Sequence, residues 1–370
     1  LSDLKLRGGW GVLGNQAISY YSYQSVLDQA NYSFGGTVVQ GVAPVDGANR
    51  NLVWETTETL NFGLDMGFLG NQYTLSIEGY RKLTYDILMK LPVSTLYGLN
   101  APYQNAGKVK NTGFEMTAGY KLNTHGWNFQ VSANAAYNKN EVLDLKNGGA
   151  RIWSGKYFNQ EGYAINSIGG YIAEGLFKTE EEVANSATIP GTETAPGDIK
   201  YRDINNDGKI DGEDRVYIGN TMPKWTFGLN LFAEWKGFDA TFLFQGAADV
   251  QGYLAGPGVV GEMIGAKGKP SYMYRDCWDA ETNPNGKFPR AFSSYRQNNS
   301  IYNPSSFWIV NSSYLRLKNF QLGYTLPKEW CNVMGISRIR VYYSGQNLLT
   351  FTKFDKGFDP ESPEGGSSYP

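Results

Sequence analysis

Histidine is nearly missing from this chain, with one in 370 residues, and the catalytic chemistries that lean on it are correspondingly thin. That residue, His125, stands in Asn123-Thr124-His125-Gly126, a turn-forming sequence. No G-x-S-x-G elbow occurs, so nucleophilic hydrolysis is poorly supported. Cysteine is almost as scarce: Cys277 and Cys331 are outside any metal-type spacing and are either free or paired. Charged residues make up only 18% of the chain and the net charge is −2, which argues against a nucleic-acid partner. No run of 18 apolar residues exists, so no helix spans a bilayer.

Glycine (45 residues), tyrosine (26) and aromatics in general (15%) are plentiful instead, and they follow period two. From Trp127 to Tyr137 the odd positions Trp127, Phe129, Val131, Ala133, Ala135 and Tyr137 are apolar, and the even positions are mostly polar. Such alternation puts one set on each face of a strand. Leu60 to Phe68, Phe114 to Leu122, Trp225 to Trp235 and Phe320 to Leu326 repeat the pattern, with Phe232 as an exception. The strands are long enough for a bilayer core, which needs roughly 9–11 tilted residues. Aromatic ends around small-residue centres suit the girdles of a transmembrane β-barrel. A barrel carries its membrane signal on half of each strand, so a mean hydropathy of −0.41 is compatible with it.

The pattern predicts nine strands, at 4–13, 51–68, 72–88, 110–122, 127–142, 223–236, 238–252, 312–326 and 338–351. Long connections (14–50, 89–109, 143–222, 253–311) alternate with short ones (69–71, 123–126, 236–237, 327–337) without a slip. Bacterial barrels pair short periplasmic turns with long extracellular loops. Nine is odd, whereas single-chain bacterial barrels are even-stranded, and an open edge in lipid is untenable. The expected fold is therefore all-β: an antiparallel transmembrane β-barrel of which residues 1–370 form the later part, lacking a final strand.

Four blocks of sequence are more specific. They are Leu4-Lys5-Leu6-Arg7-Gly8-Gly9-Trp10-Gly11-Val12-Leu13-Gly14-Asn15-Gln16; Gly197-Asp198-Ile199-Lys200-Tyr201-Arg202-Asp203-Ile204-Asn205-Asn206-Asp207-Gly208-Lys209-Ile210-Asp211; Ser313-Tyr314-Leu315-Arg316-Leu317-Lys318-Asn319 with Leu322-Gly323-Tyr324-Thr325-Leu326-Pro327; and Arg340-Val341-Tyr342-Tyr343-Ser344-Gly345-Gln346-Asn347-Leu348-Leu349 ahead of Phe358-Asp359-Pro360-Glu361. In these blocks and their order the chain resembles the C-terminal part of SusC/RagA-type TonB-dependent outer-membrane transporters. The resemblance implies a plugged barrel of about 22 strands, with the plug and the energy-coupling box outside this sequence. It implies a non-enzymatic importer in the outer membrane, surrounded by outer-membrane lipid. Its expected partners are a SusD-like surface lipoprotein, the TonB complex acting through the missing N-terminal region, and an oligosaccharide or peptide substrate.

One motif points to a cofactor. Residues 203–214 fit a calcium loop with oxygens at positions 1, 3, 5, 7, 9 and 12: Asp203, Asn205, Asp207, the Lys209 carbonyl, Asp211 and Asp214, with Gly208 at the sharp turn. The twelfth position is Asp in place of Glu, as in dockerin-type loops. The expected role of Ca²⁺ is to rigidify the long extracellular loop 143–222. The alternative is an Asx-rich turn held by its own side chains.

Two G-x-G-x-x-G matches, Gly9 to Gly14 and Gly256 to Gly261, lack the strand-turn-helix context that gives the nucleotide fingerprint meaning. The loop aromatics Tyr157, Phe158, Tyr272, Tyr274, Trp278 and Trp308 could stack on sugars or peptides, or pack on one another. Trp10, Trp127, Trp225 and Trp235 read as interface anchors, and 178–183 as a short helix. Two rival readings stand beside import: a passive porin or structural adhesin barrel, and a soluble calcium-dependent glycan-binding or hydrolytic β-protein.

Overall fold

The computed structural model describes residues 1–254, 275–291, 303–354 and 359–362. Its long strands are β1 Asp3–Asn15, β2 Glu55–Phe68, β3 Tyr73–Tyr85, β4 Lys108–Thr124, β5 Trp127–Asp144, β6 Trp225–Trp235, β7 Phe238–Ala248, β8 Tyr314–Thr325 and β9 Arg340–Thr352. They hydrogen-bond in chain order as one nine-stranded sheet. Each predicted strand is present, but two stop early. At Asp86 (φ 54°) and Asp249 (φ 55°) the backbone turns left-handed, a conformation that Asp tolerates better than most residues. Beyond each, the chain leaves the long sheet for a short ladder: Leu88–Lys90 pairs with Tyr103–Asn105, and Gln251–Tyr253 with Ile309–Asn311.

The short connections follow hairpin chemistry. His125-Gly126 (φ 46°, 82°) and Lys236-Gly237 (φ 48°, 88°) are two-residue turns with both φ positive, the kind whose twist matches the flanking strands. The exception is 327–337, which contains a helix, Lys328–Val333.

The chain divides into two compact units. One comprises Leu1–Ala118, Ala136–Ser154 and Phe158–Ile165. Within it β1, β2 and β3 are antiparallel, and their register aligns Leu4, Met66 and Leu75 in one row and Leu6, Leu64 and Ile77 in the next. This apolar face is open: Leu6 is 80% exposed and Phe62 64%. Trp10 pairs with Leu60 and donates from Nε1 to Glu58 at 2.9 Å. A small core of Val109, Val142 and Leu145 sits against Ile87, Met89, Ile152 and Ile165.

The other unit comprises Gly119–Ala135, Gly155–Tyr157 and Asn166–Pro370. In it Leu229, Phe244, Leu317 and Leu349 form one row across β6 to β9, and Trp235, Phe238, Tyr324 and Val341 another. The apolar parity on β8 changes from odd (Leu315, Leu317) to even (Phe320, Leu322, Tyr324). A register shift between Leu317 and Asn319 absorbs the change, because one extra residue flips every following side chain. The main buried core of this unit lies in its connections, not its wall: Ile168, Tyr171, Ile199, Tyr201, Ile210, Tyr253, Leu254, Cys277, Trp308 and Phe354.

Candidate functional site

Behind the apolar face each unit carries a polar one. In the first unit Arg7 donates to Asp65 at 2.8 and 3.0 Å and to Glu78 at 2.7 Å. Ser76 donates to Asp65 at 2.6 Å and Asn61 to Glu78 at 2.9 Å. An amide ladder continues on β4 and β5: Asn138 and Asn140 donate to Asn111 Oδ1 at 3.3 and 2.9 Å, and Tyr80 donates to Asn138 at 3.2 Å. In the second unit Arg340 donates to Asp239 at 2.9 Å and to Gln321 at 3.1 Å. Strand parity alone separates these groups from the apolar rows, so each strand offers a wall with one greasy and one hydrogen-bonding side.

The 203–214 turn follows the short strand Ile199–Tyr201 and ends in the 3₁₀ turn Gly212–Asp214. Gly208 has φ 85°, as the sharp bend requires. Asp203 accepts the amides of Asn206 (2.7 Å) and Gly208 (2.8 Å). Asn205 accepts the amide of Asp207 at 3.1 Å, and Asp207 that of Lys209 at 3.1 Å. Asp214 is fully buried and accepts the amides of Ile204 (2.7 Å) and Asp211 (2.8 Å). The Lys209 ammonium reaches Asp211 at 3.2 Å and Asp207 at 3.4 Å. Hydrogen bonds from the Glu213 amide and from Lys209 hold the Asp211 carboxyl below the usual carboxylate range. The sequence positions thus come together in one turn, with their carboxylates engaged mainly by backbone amides. Among the described residues no three His, Cys, Asp or Glu side chains are grouped as metal ligands.

Most loop aromatics are committed to packing. Phe158 and Trp308 are 1% exposed and Trp278 7%, and Tyr157 packs against the core around Trp308. Tyr272, Tyr274 and the G-x-G-x-x-G at 256–261 lie outside the described residues. The Gly9 to Gly14 match is inside β1, and His125 is in its turn, with Nδ1 2.8 Å from Thr124 Oγ1. Trp127 and Trp235 stack at 5.1 Å. The predicted loop helix is Glu180–Ala184, capped by Thr179. Neither cysteine is in a disulfide and both are buried, and burial pushes the Cys277 thiol up to about 11.

Three features escaped the sequence pattern. Arg316, almost fully buried, donates to Asp359 at 2.7 and 3.2 Å and contacts Glu361 at 3.3 Å, which ties the segment at 359–361 to β8. Asp198 is held by Arg290 at 2.9 Å across 92 positions, and burial pushes its carboxyl above the usual range. In the first unit a cleft of about 280 Å³ is lined by Tyr20, Tyr21, Tyr23, Trp54, Arg50 and Gln16. Tyr20 is 91% and Trp54 61% exposed, and Tyr21 sits at φ 64°, a strained setting for a bulky residue. The run Tyr20-Tyr21-Ser22-Tyr23 was the available signal; its juxtaposition with Trp54 was not.

Residues 2–348 match the family profile described as TonB dependent receptor-like, beta-barrel. The chain belongs to the TonB-dependent receptor β-barrel family. It is therefore part of an outer-membrane barrel, in a family of transport proteins rather than enzymes. It is 31% identical to TonB-dependent receptor P3 of Formosa agariphila over 98% of its own length and 36% of the relative's. It is 30% identical to TonB-dependent receptor SusC of Bacteroides thetaiotaomicron, over 100% and 36%. Among solved structures it superposes on a chain of the RagAB peptide transporter with a TM-score of 0.77 and 27% identity, covering 99% of this chain and 39% of that one. The receptor chain thus spans little more than a third of the length of these relatives.

Proposed function

We propose that the full-length receptor actively imports oligosaccharides or peptides across the outer membrane, powered by TonB and working beneath a SusD-like surface lipoprotein. The observation that carries this reading is the end-to-end match to SusC and to a chain of the RagAB peptide transporter. The two-faced strands supply the physical means. Their apolar rows suit lipid, and the Arg7–Asp65–Glu78 network and the Asn111–Asn138–Asn140 ladder suit a hydrated lumen. The aromatic cleft at Tyr20, Tyr21, Tyr23 and Trp54 offers flat faces and neutral hydrogen-bonding groups to a sugar ring or a peptide.

The reading includes a Ca²⁺ ion in the 203–214 turn, held by Asp203, Asn205, Asp207, the Lys209 carbonyl, Asp211 and Asp214. It rests on the six-position spacing and the left-handed Gly208. Capture would release Lys209 from Asp207 and Asp211 and turn their carboxylates inward. When bound, the ion would brace the loop.

Uptake of labelled glycan and peptide mixtures by cells carrying the full-length receptor tests the proposal, with and without TonB and with and without the neighbouring lipoprotein. Import that requires both supports it. Import that persists unchanged without TonB identifies a passive porin, and binding of cells or surfaces without import identifies an adhesin.

A further inference from the structure

The connection from β8 to β9 departs from a tight turn because of the helix Lys328–Val333, followed by Met334, Gly335 at φ 67° and Ile336. Residues three and four apart share a helix face, so Trp330, Val333 and Met334 lie together. They are 60%, 90% and 50% exposed, and Ile336 is 44%. Cys331 is the buried residue of the helix, its Sγ 3.9 Å from the Leu326 carbonyl oxygen. Lys328, Glu329 and Asn332 occupy the remaining directions. The helix buries a small side chain and turns its largest apolar ones outward, the reverse of what a water-facing turn would do.

What covers that face follows from its neighbours. The Leu326 amide bonds the Ile339 carbonyl at 3.0 Å, closing the β8–β9 ladder just before the helix. The row Trp235, Phe238, Tyr324 and Val341 crosses the adjoining strand ends, with Phe238 54% and Val341 65% exposed. It is an aromatic edge of the exposed apolar surface, and the chain runs from its Tyr324 directly into the helix. Lys236, with its Nζ 4.7 Å from the Trp235 ring centre, is exposed, as are Lys328 and Arg338, against one acid on the helix, Glu329. Basic side chains around an apolar face suit phosphate headgroups above acyl chains.

We propose that residues 328–336 form an interfacial anchor in the periplasmic phospholipid leaflet, with Trp330, Val333, Met334 and Ile336 at the acyl boundary and Lys236, Lys328 and Arg338 at lipid phosphates. The short-turn side of such a barrel is the periplasmic one, which fixes the leaflet.

The test places a nitroxide at V333C, and separately at E329C, in the full-length receptor reconstituted in nanodiscs of phosphatidylethanolamine and phosphatidylglycerol. Cys277 and Cys331 are buried, and the unsubstituted protein sets the background. Expected is a label at 333 that collides with oxygen more than with nickel-EDDA, and a label at 329 with the opposite preference. Free nickel access at 333 overturns the proposal by placing that face in water. Shielding of 333 from both quenchers also overturns it, in favour of a protein contact.

Discussion

Replacing Leu229 by Arg tests which side of the wall meets lipid. β6 has 11 residues, so the steps between its first and last residue, at roughly 3.3 Å each, make it about 33 Å long, and a tilt of roughly 40° leaves about 25 Å of height, the span of the apolar band. Leu229 is one residue from the middle of that strand. It stands in a row with Phe244, Leu317 and Leu349. Arginine near the midplane on the lipid face costs about 2–4 kcal/mol. Asn230, its neighbour, is on the opposite face, where the same arginine would sit in a hydrated lumen at little cost. Urea unfolding of the full-length receptor in liposomes should therefore separate Leu229→Arg from Asn230→Arg by at least 2 kcal/mol. Equal stabilities, or the reverse order, would refute the facing derived from the register.

Other expectations are as specific. Arg316→Ala strands Asp359 and Glu361 beside a buried site and should cost about 3 kcal/mol in the same assay; Arg316→Met with Asp359→Asn should recover much of that loss. Terbium luminescence should report ion capture by the 203–214 turn, competed by Ca²⁺ and abolished by Asp203→Ala with Asp207→Ala; no sensitised emission from the unaltered receptor would remove calcium from the reading. Cys277 stays a neutral thiol at pH 8, because burial raises it to about 11 and the reactive thiolate appears only as pH approaches that value. Mass spectrometry after maleimide treatment at pH 8 should find both buried cysteines unmodified until the protein is unfolded. Tyr21→Ala and Trp54→Ala, at the open aromatic cleft, should reduce uptake without lowering stability by more than about 0.5 kcal/mol, as exposed substitutions do.

The long strands were legible in the sequence because a half-buried strand writes its two faces as period two. Trp225 to Trp235 and Leu60 to Phe68 needed nothing else. The sequence also marked the short turns, since Lys236-Gly237 and His125-Gly126 are few-residue, glycine-bearing links. The 203–214 spacing placed six candidate ligands in one turn, but it did not reveal that backbone amides and Lys209 engage their carboxylates. Strand ends depended on single residues: Asp86 and Asp249 can turn left-handed, and whether they do depends on a ladder partner elsewhere in the chain.

Composition and alternation by themselves determined an all-β wall with one apolar and one polar side, because side-chain direction in a strand is local. Tertiary structure decided the rest. It chose which loop aromatics are buried, since Trp308 disappears into a core shared with Ile168, Tyr201 and Tyr253. It set the partners of Arg316 and Asp198, which lie 43 and 92 positions away. It also brought Trp54 beside Tyr20 and Tyr21. Those outcomes rest on contacts between residues far apart in the chain, and no local period encodes them.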